Sequence, residues 1–169
     1  MKQRIPRPIT IGEFQRRTRR VRRIAREMGF IGRVSYRHVY NDSGGGQYEL
    51  GPRPEQDQLT VCAEAFDRDA DPSEYSLAAI IAHERGHQIY CRDPRVKAIL
   101  APKASPVWEE FAASIIGSLL IESIRDQRNL MYKACFEACN VGIPFPEAWQ
   151  LCREYSQFLE EMLCLGPNR

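Results

Sequence analysis

The chain of 169 residues lacks any apolar stretch long enough to cross a membrane. Its longest apolar run, Phe111 to Ile121, is far shorter than the roughly 20 residues that a membrane-spanning helix needs. The segment that starts at Met1 also lacks the apolar stretch of a signal peptide. These two absences predict a protein without a membrane span, and they make the cytoplasm its expected location.

Internal repeats and low-complexity linkers are also missing from the sequence. Hydrophobic residues make up 43% of the chain and charged residues 27%, proportions that are ordinary for a folded globular protein and argue against disorder. A length of 169 residues is enough for one domain with a substantial core. We therefore expect a single domain over residues 1–169.

The chain has six cysteines, at Cys62, Cys91, Cys135, Cys139, Cys152 and Cys164. Without an export signal, reduced thiols are a better expectation than disulfides. Cys135 and Cys139 are one helical turn apart, so one interpretation is a second metal site that also uses Cys152 or Cys164. Because this spacing matches no standard zinc module and cysteine is among the most buried residue types, we favour core packing.

Positive charge is concentrated near the beginning of the chain. Residues 1–40 contain twelve Lys or Arg against two Glu, a net charge of +10, which leaves −8 for the remainder. Most of this charge falls in residues 12–28, which are predicted to form a helix. Thr10 and Glu13 form a capping box at its start, and Gly29 supplies a stop signal just after its end. Residues 1–28 are thus expected to form a basic N-terminal helix segment.

This predicted helix is amphipathic. Its apolar stripe consists of Phe14, Val21, Ile24, Ala25 and Met28, and its remaining surface is covered by Arg16, Arg17, Arg19, Arg20, Arg22, Arg23 and Arg26. A basic amphipathic helix can dock on the acidic remainder of the chain, or it can contact nucleic acid or an acidic membrane. We favour intramolecular docking, because no recognised DNA-reading module accompanies the arginines.

Three β-strands are predicted after the basic helix. Residues 31–40 are β-branched and aromatic, and the glycine-rich turn of residues 41–46 leads to a second strand, residues 47–50, which predicts a hairpin. Residues 59–66 form the third predicted strand. Helices are then predicted to carry the histidine motif described below and to cover residues 105–129, 130–140 and 146–163. This order predicts an α+β fold with the sheet covered on one side.

The pentapeptide His83 to His87 contains two of the three histidines of the chain, with Glu84 directly after the first. On a helix, residues i and i+4 project from one face, so both imidazoles can bind one metal ion. Glu84 lies about 100° round the helix from His83, which places a carboxylate beside the water of a metal site. This pattern is typical of hydrolytic zinc sites.

The helix that carries this pentapeptide has an apolar, small-residue segment before the motif, Tyr75 to Ala82. Signals for the start of a helix lie just upstream of it. Asp71 is the predicted N-cap, Pro72 the first helical residue and Glu74 the reciprocal carboxylate of a capping box.

A catalytic zinc site has three protein ligands and an open position, so a third ligand must be found. Asp93 has suitable spacing, but Tyr90 stands where a glycine would be needed to turn the chain back. Glu109 and Glu110 lie near the start of an otherwise apolar segment, where a buried carboxylate needs a partner such as a metal ion. They point about 100° apart. One can face the metal, and the other is expected as a solvated first-turn residue.

The histidine motif and the segment around Glu110 together resemble the gluzincin metallopeptidases. The pentapeptide matches the histidine helix of that family, and Glu110 with residues 117–119 looks like its thermolysin-type glutamate helix. The resemblance implies that Glu110 is the third zinc ligand. Ser114 departs from the acidic residue of the family, which implies either a weaker hold on His83 or that another group takes over this role. The short chain and its strand-rich segment are also similar to ImmA/IrrE-type intracellular proteases, which implies a minimal zincin-like domain.

These features predict a zinc-dependent metalloendopeptidase whose Zn²⁺ ligands are His83, His87 and Glu110. Glu84 is the predicted general base, which takes a proton from the attacking water and returns it to the leaving amine. The predicted strand of residues 59–66 is the expected edge strand along which an extended protein or peptide substrate lies. Candidate donors to the oxyanion are Tyr90, His38 and Tyr132, although each also suits a structural role.

Two rival functions remain open on the sequence. One is a zinc-bound regulatory or adaptor module that binds nucleic acid or a protein partner through its Arg-rich helix, although the intact Glu84 argues against it. The other is a hydrolase of the same geometry that acts on a non-peptide amide.

Overall fold

The computed structural model describes residues 5–41, 44–100 and 106–163. These ranges form an α+β fold, which confirms the predicted fold class. In chain order the elements are α1 (Ile11–Glu27), β1 (Arg33–Arg37), β2 (Gly46–Glu49), a short 3-10 helix (Pro54–Gln56), β3 (Gln58–Cys62), α2 (Ala63–Asp69), α3 (Leu77–Arg92), α4 (Pro94–Leu100), α5 (Pro106–Leu119), α6 (Ile124–Asn140) and α7 (Phe145–Leu163). No helix in the described part of the chain has the length and apolar character required to span a bilayer.

Helix α1 begins and ends at the residues that its local signals indicate. The Thr10 side chain accepts a hydrogen bond from the Glu13 backbone N–H at 3.1 Å, which caps the first turn. After the last turn, Gly29 adopts a φ of 71°, a left-handed conformation that glycine tolerates without strain.

The apolar stripe of α1 docks on the rest of the chain. Val21, Ile24 and Ala25 are buried, and α1 packs against β1 and α3. One ion pair, Arg20 to Asp69 at 2.7 Å, joins α1 to α2. Intramolecular docking is therefore present, and it depends mainly on apolar burial rather than on the acidic remainder of the chain.

The three strands form one sheet in the order β1-β3-β2. Strand β3 pairs parallel with β1 and antiparallel with β2. The predicted hairpin of the first two strands is therefore wrong, because β3 lies between them; residues 42 and 43 of its turn lie outside the described residues. Leu59 and Val61 of β3 are fully buried, as expected for a central strand with neighbours on both edges.

The third strand is shorter than predicted. Strand β3 ends at Cys62, and the rest of the predicted strand, Ala63 to Phe66, is the first turn of helix α2. The predicted edge strand for substrate is consequently wrong, since β3 is central. The sheet edge that faces α3 is β2 instead.

Helix α3, which carries the histidine motif, begins five residues later than predicted. Asp71 accepts hydrogen bonds from the backbone and hydroxyl of Ser73 at 2.8 and 2.7 Å, so it closes a local turn rather than capping a helix. Ser76 is the actual N-cap, and its side chain accepts from the Ala79 N–H at 3.0 Å. The predicted roles of Pro72 and Glu74 in helix initiation are therefore also wrong.

The boundary between the predicted helices 105–129 and 130–140 is misplaced. Helix α5 ends at Leu119, and α6 runs from Ile124 to Asn140, so it includes both the end of the first predicted helix and all of the second. Ser123 caps α6 by accepting a hydrogen bond from the Asp126 N–H at 3.3 Å. Ser105, the predicted start, lies outside the described residues. Helix α4 was not predicted, whereas α7 agrees with its prediction within one residue.

Helix α3 lies at the centre of the fold and packs most extensively against α5. Two glycines allow the close approach. A side chain at Gly86 would collide with the Ala113 backbone, and one at Gly117 would stand 3.0 Å from the Ala82 backbone. The close contact brings the histidine face of α3 against the carboxylates of α5.

Candidate metal centre

Three side chains from α3 and α5 direct donor atoms at one point. Nε2 of His83 and Nε2 of His87 are 3.2 Å apart, and the Glu110 carboxylate lies 3.1 Å from the first and 3.2 Å from the second. Both histidines are buried, whereas Glu110 is partly exposed. The sequence-predicted ligands are thus brought together, and they form the one group of metal-binding geometry found within the described ranges.

The spacing and charge of these groups fit a divalent metal ion. Ligand atoms about 2.0 Å from zinc at tetrahedral angles stand about 3.3 Å from one another, close to the separations seen here. The neighbouring Glu84, Glu109 and Glu110 carry three negative charges when ionised, and Lys133 is the cation in contact with the ligand group, since Arg68 on the same cavity wall is paired with Glu74. With neutral histidines a divalent cation balances this site, and the mixed imidazole and carboxylate set suits zinc.

The second nitrogen of each histidine ring also has a partner. Ser114 Oγ lies 3.2 Å from Nδ1 of His83. Ser114 therefore contacts His83 from the position at which the gluzincin resemblance implies an acidic residue. Glu109 lies 3.0 Å from Nδ1 of His87. Glu109 lies in the first turn of α5 with 38% of its side chain exposed, as expected, but its role is not only that of a solvated residue, because its carboxylate fixes the orientation of His87.

Glu84 lies beside the ligand group and against strand β2. A Cβ on Gly46 would stand only 2.7 Å from Glu84 Oε1, so the absence of a side chain at Gly46 makes room for the carboxylate. Burial raises the pKa of Glu84 to about 7, and a hydrogen bond from the Tyr48 backbone N–H opposes that rise. The Tyr48 ring stacks on His87 with centroids 6.4 Å apart.

Lys133 of α6 reaches the same ligand group, a contact that the sequence analysis missed. Its Nζ lies 2.6 Å from Glu110 Oε2 and 3.0 Å from His83 Nε2. A metal ion held by Glu110 and His83 would compete with the ammonium group for these side chains. Movement away from them is available to a lysine, whose charge sits on a flexible four-carbon stem.

Burial and hydrogen bonds shift the pKa values of the three ligands in different directions. Burial lowers the pKa of His83 to about 4. Burial also acts to lower the pKa of His87, but hydrogen bonds to Glu109 and Glu110 outweigh it and raise that pKa to about 9. The same histidines lower the pKa of Glu110. The metal-free group therefore holds Glu110 ionised and keeps His83 neutral.

A cavity of about 450 Å³ opens onto these residues. Strand β2 contributes Gly46 to Tyr48 to its wall, and Lys133 lines it from α6. Apolar side chains complete the wall near the histidines: Tyr75, Ala79, Ile80 and Leu130.

Several candidates from the sequence lie elsewhere. Asp93 binds Arg95, with Oδ2 and Nη2 2.6 Å apart, and takes no part in the ligand group. His38 contacts Tyr36 and the Arg7 carbonyl at 2.8 Å each. Tyr132 packs on Trp149, with ring centroids 5.2 Å apart. Neither His38, Tyr132 nor Tyr90 lines the cavity.

The cysteines of the helical region do not form a second metal-binding group within the described ranges. Cys135 and Cys152 are buried in the core cluster of α5, α6 and α7, in agreement with core packing. Cys164 lies outside the described residues.

One sequence signal could have identified Lys133 in advance. The buried stripe of α6 contains Leu130, Ala134 and Ala138, and Lys133 falls on this apolar face at i+3 from the first of them. A lysine there needs a compensating partner. Gly46 and Tyr48 had no comparable local signal, because their positions depend on the pairing of β2.

Comparison of the chain with known protein families, with curated proteins and with solved structures finds no match.

Proposed function

We propose that the protein is a zinc-dependent metallopeptidase with His83, His87 and Glu110 as its metal ligands. The observation that carries this proposal is the convergence of Nε2 of His83, Nε2 of His87 and the Glu110 carboxylate beside the buried carboxylate of Glu84. The two nitrogens are 3.2 Å apart, and each lies within 3.2 Å of one carboxylate oxygen of Glu110. The resemblance of the motif and the glutamate helix to gluzincin metallopeptidases supports it.

A zinc ion held by these ligands would act as a Lewis acid and would lower the pKa of a water at its open position. Glu84 serves as the general base. It takes the proton of the attacking water and later donates it to the leaving amine.

An extended protein or peptide chain is the proposed substrate. Strand β2 is at an edge of the sheet and forms one wall of the cavity, where its backbone can pair with an added strand. The apolar recess near Ile80 and Leu130 can take a side chain of that strand. The free thiols of the described cysteines are consistent with a cytoplasmic location, which we also propose.

The second candidate function is a zinc-bound adaptor that recruits nucleic acid or a protein partner. It is favoured by one observation: α1 docks through its apolar stripe and leaves arginines such as Arg19, Arg22 and Arg26 exposed. This candidate does not use the cavity or Glu84, and for that reason we place it second.

The two functions are separated by assays on the purified full chain. We expect cleavage of labelled, unfolded casein that stops with a zinc chelator and returns when zinc is added. The double variant His83→Ala/His87→Ala should lose both zinc and cleavage. Absence of cleavage by zinc-loaded protein, together with binding to DNA that weakens steeply with salt, would instead support the adaptor.

A further inference from the structure

We infer that Lys133 stabilises the negative charge that develops on the substrate carbonyl oxygen during hydrolysis at this site. The inference rests on the proposed peptidase function and adds a catalytic residue to it. Its starting point is the position of the ammonium group, 2.6 Å from Glu110 Oε2 and 3.0 Å from His83 Nε2. The positive charge of Lys133 thus reaches two of the three ligand atoms.

Lys133 and Glu84 reach the ligand group from different elements. Glu84 lies against β2, next to Gly46 and the Tyr48 backbone N–H. Lys133 extends from α6, which packs against α5 and α3. A peptide carbonyl bound in the cavity between β2 and α6 therefore has the carboxylate on the β2 side and the ammonium on the α6 side.

The reaction moves one negative charge between these two sides. When the water oxygen bonds to the carbonyl carbon, the water proton goes to Glu84 and the π electron pair of the carbonyl moves onto its oxygen. Glu84 becomes neutral while the oxygen becomes negative. When the C–N bond breaks, the electron pair on the oxygen re-forms the carbonyl π bond and the C–N bonding pair leaves with the nitrogen. The nitrogen takes the proton from Glu84, and a carboxylic acid and an amine are formed.

An ammonium on the α6 side favours this transfer. Its attraction to the carbonyl oxygen grows as the negative charge arrives, so it stabilises the transition state more than the bound substrate. A metal ion held by Glu110 and His83 would free the ammonium from its contacts with these two side chains. Lys133 is about one quarter exposed, at 28% of its side chain, and can turn toward the cavity without leaving a packed core.

Three other side-chain donors on the cavity wall, those of Arg68, Tyr48 and Tyr75, already have partners. The guanidinium of Arg68 binds Glu74 at 2.9 Å and the Gly44 carbonyl at 2.9 Å. The Tyr48 hydroxyl donates to Asp57 at 3.1 Å. The Tyr75 hydroxyl donates to the Asn129 carbonyl at 3.3 Å. Lys133 differs from these groups because its present acceptors are metal ligands.

The test compares Lys133→Met, Lys133→Arg and the matched control Lys97→Met, which removes an exposed lysine of α4. Three quantities are measured for each zinc-loaded protein: peptide cleavage, zinc affinity by chelator competition, and affinity for a peptide phosphonamidate built on a cleaved sequence. We expect Lys133→Met to lower kcat by about 10²–10³-fold, the usual effect of removing an oxyanion donor. Phosphonamidate affinity should fall in parallel, while KM changes little.

Zinc affinity separates this role from a structural one. Lys133→Met should bind zinc as tightly as the original chain or more tightly, because the ammonium competes for His83 and Glu110. Lys133→Arg should recover part of the lost turnover, and Lys97→Met should resemble the original chain in all three measurements. If Lys133→Met cleaves normally, or if its zinc affinity falls together with its activity, the inference is overturned.

The proposed function is checked separately in the original chain. If that chain binds no zinc or shows no chelator-sensitive cleavage, the peptidase proposal fails, and the role of Lys133 falls with it. If the original chain passes both checks and Lys133→Met retains full turnover, only the Lys133 inference fails.

Discussion

Two buried carboxylates on either side of Tyr48 have opposite environments. Asp57 is fully buried and accepts hydrogen bonds from the Gly51 N–H, the Tyr48 hydroxyl, Gln88 and Arg92. Burial acts to raise its pKa, but these donors outweigh burial and lower it to about 2. Glu84 is almost as buried, yet burial dominates and raises its pKa to about 7.

The difference shows which buried carboxylate is structural and which is available for chemistry. Asp57 is saturated by donors from the protein itself, so it ties the loop before β3 to α3. Glu84 has a backbone donor but faces a cavity beside the ligand group, so its charge is incompletely compensated without a cation. Tyr48 serves both, because its hydroxyl donates to Asp57 and its N–H to Glu84.

The largest expected effect comes from Glu84→Gln. The amide preserves the shape of the side chain but cannot take a proton, so turnover should fall by about 10²–10⁴-fold. Zinc content and thermal stability should remain close to those of the original chain, because Glu84 is not a ligand and its buried charge does not favour folding. Peptide cleavage, metal analysis and melting curves check these outcomes. Retained hydrolysis would remove Glu84 from the role of base.

Substituting alanine for each of three carboxylates should lower zinc affinity by different amounts, according to how directly each side chain contacts the metal site. Glu110→Ala should weaken zinc binding most, because it removes a ligand. Glu109→Ala should weaken binding by about 10–100-fold through the lost support of His87. Asp93→Ala should have no measurable effect, since Asp93 binds Arg95 instead. Chelator competition measures all three, and a dominant effect of Asp93→Ala would contradict the assigned ligand set.

Asp57→Asn should have the opposite effect to Glu84→Gln: it should lower stability and leave the chemistry of the site intact. Loss of the charge leaves Arg92 without its ion-pair partner and places an amide among donors, so the free energy of unfolding should fall by about 2–3 kcal/mol. The measurement is urea unfolding at neutral pH. The refolded variant should still cleave peptide when zinc is present. Unchanged stability in Asp57→Asn would mean that its four donors do not stabilise the fold.

The same contrast predicts a dependence of stability on pH. The folded-state pKa of Asp57, about 2, is below the value of about 3.9 for an unfolded aspartate, so its contribution is complete above about pH 4. That contribution should be lost as the pH falls toward about 2. Unfolding of zinc-free protein at several pH values checks this, with Asp57→Asn as the control. The difference between the two proteins should narrow in acid; a constant difference would contradict the lowered pKa.

Local signals predicted the elements whose boundaries depend on neighbouring residues. Thr10 and Gly29 bound α1 because a side-chain cap and a left-handed glycine act within a few residues. Strand order depends instead on which distant strands pair, and nothing local to residues 41–46 reveals that β3 inserts between β1 and β2. The predicted N-cap at Asp71 was wrong for a different reason: aspartate is common both at helix N-caps and in turns, and here it closes a turn.

The candidate site divides in the same way. The spacing of His83 and His87 on one helix was readable from the sequence, and the acidic residues near the start of α5 limited the third ligand to few choices. The hydrogen bond of Glu109 to His87 and the approach of Lys133 depend on the packing of α3, α5 and α6. The cavity wall formed by β2 also depends on tertiary structure, because it requires the strand order. Without that order, the central strand β3 was predicted to be the edge strand, and the actual edge strand β2 was missed.

The most direct test of the central claim is an anomalous difference map from a crystal of the zinc-loaded protein, recorded on both sides of the zinc absorption edge. We predict one strong peak bonded to Nε2 of His83, Nε2 of His87 and a Glu110 oxygen, with Glu84 unbonded and an open coordination position facing the cavity. A well-folded crystal with no peak among these three side chains, or with a peak bound by other residues, would contradict the account.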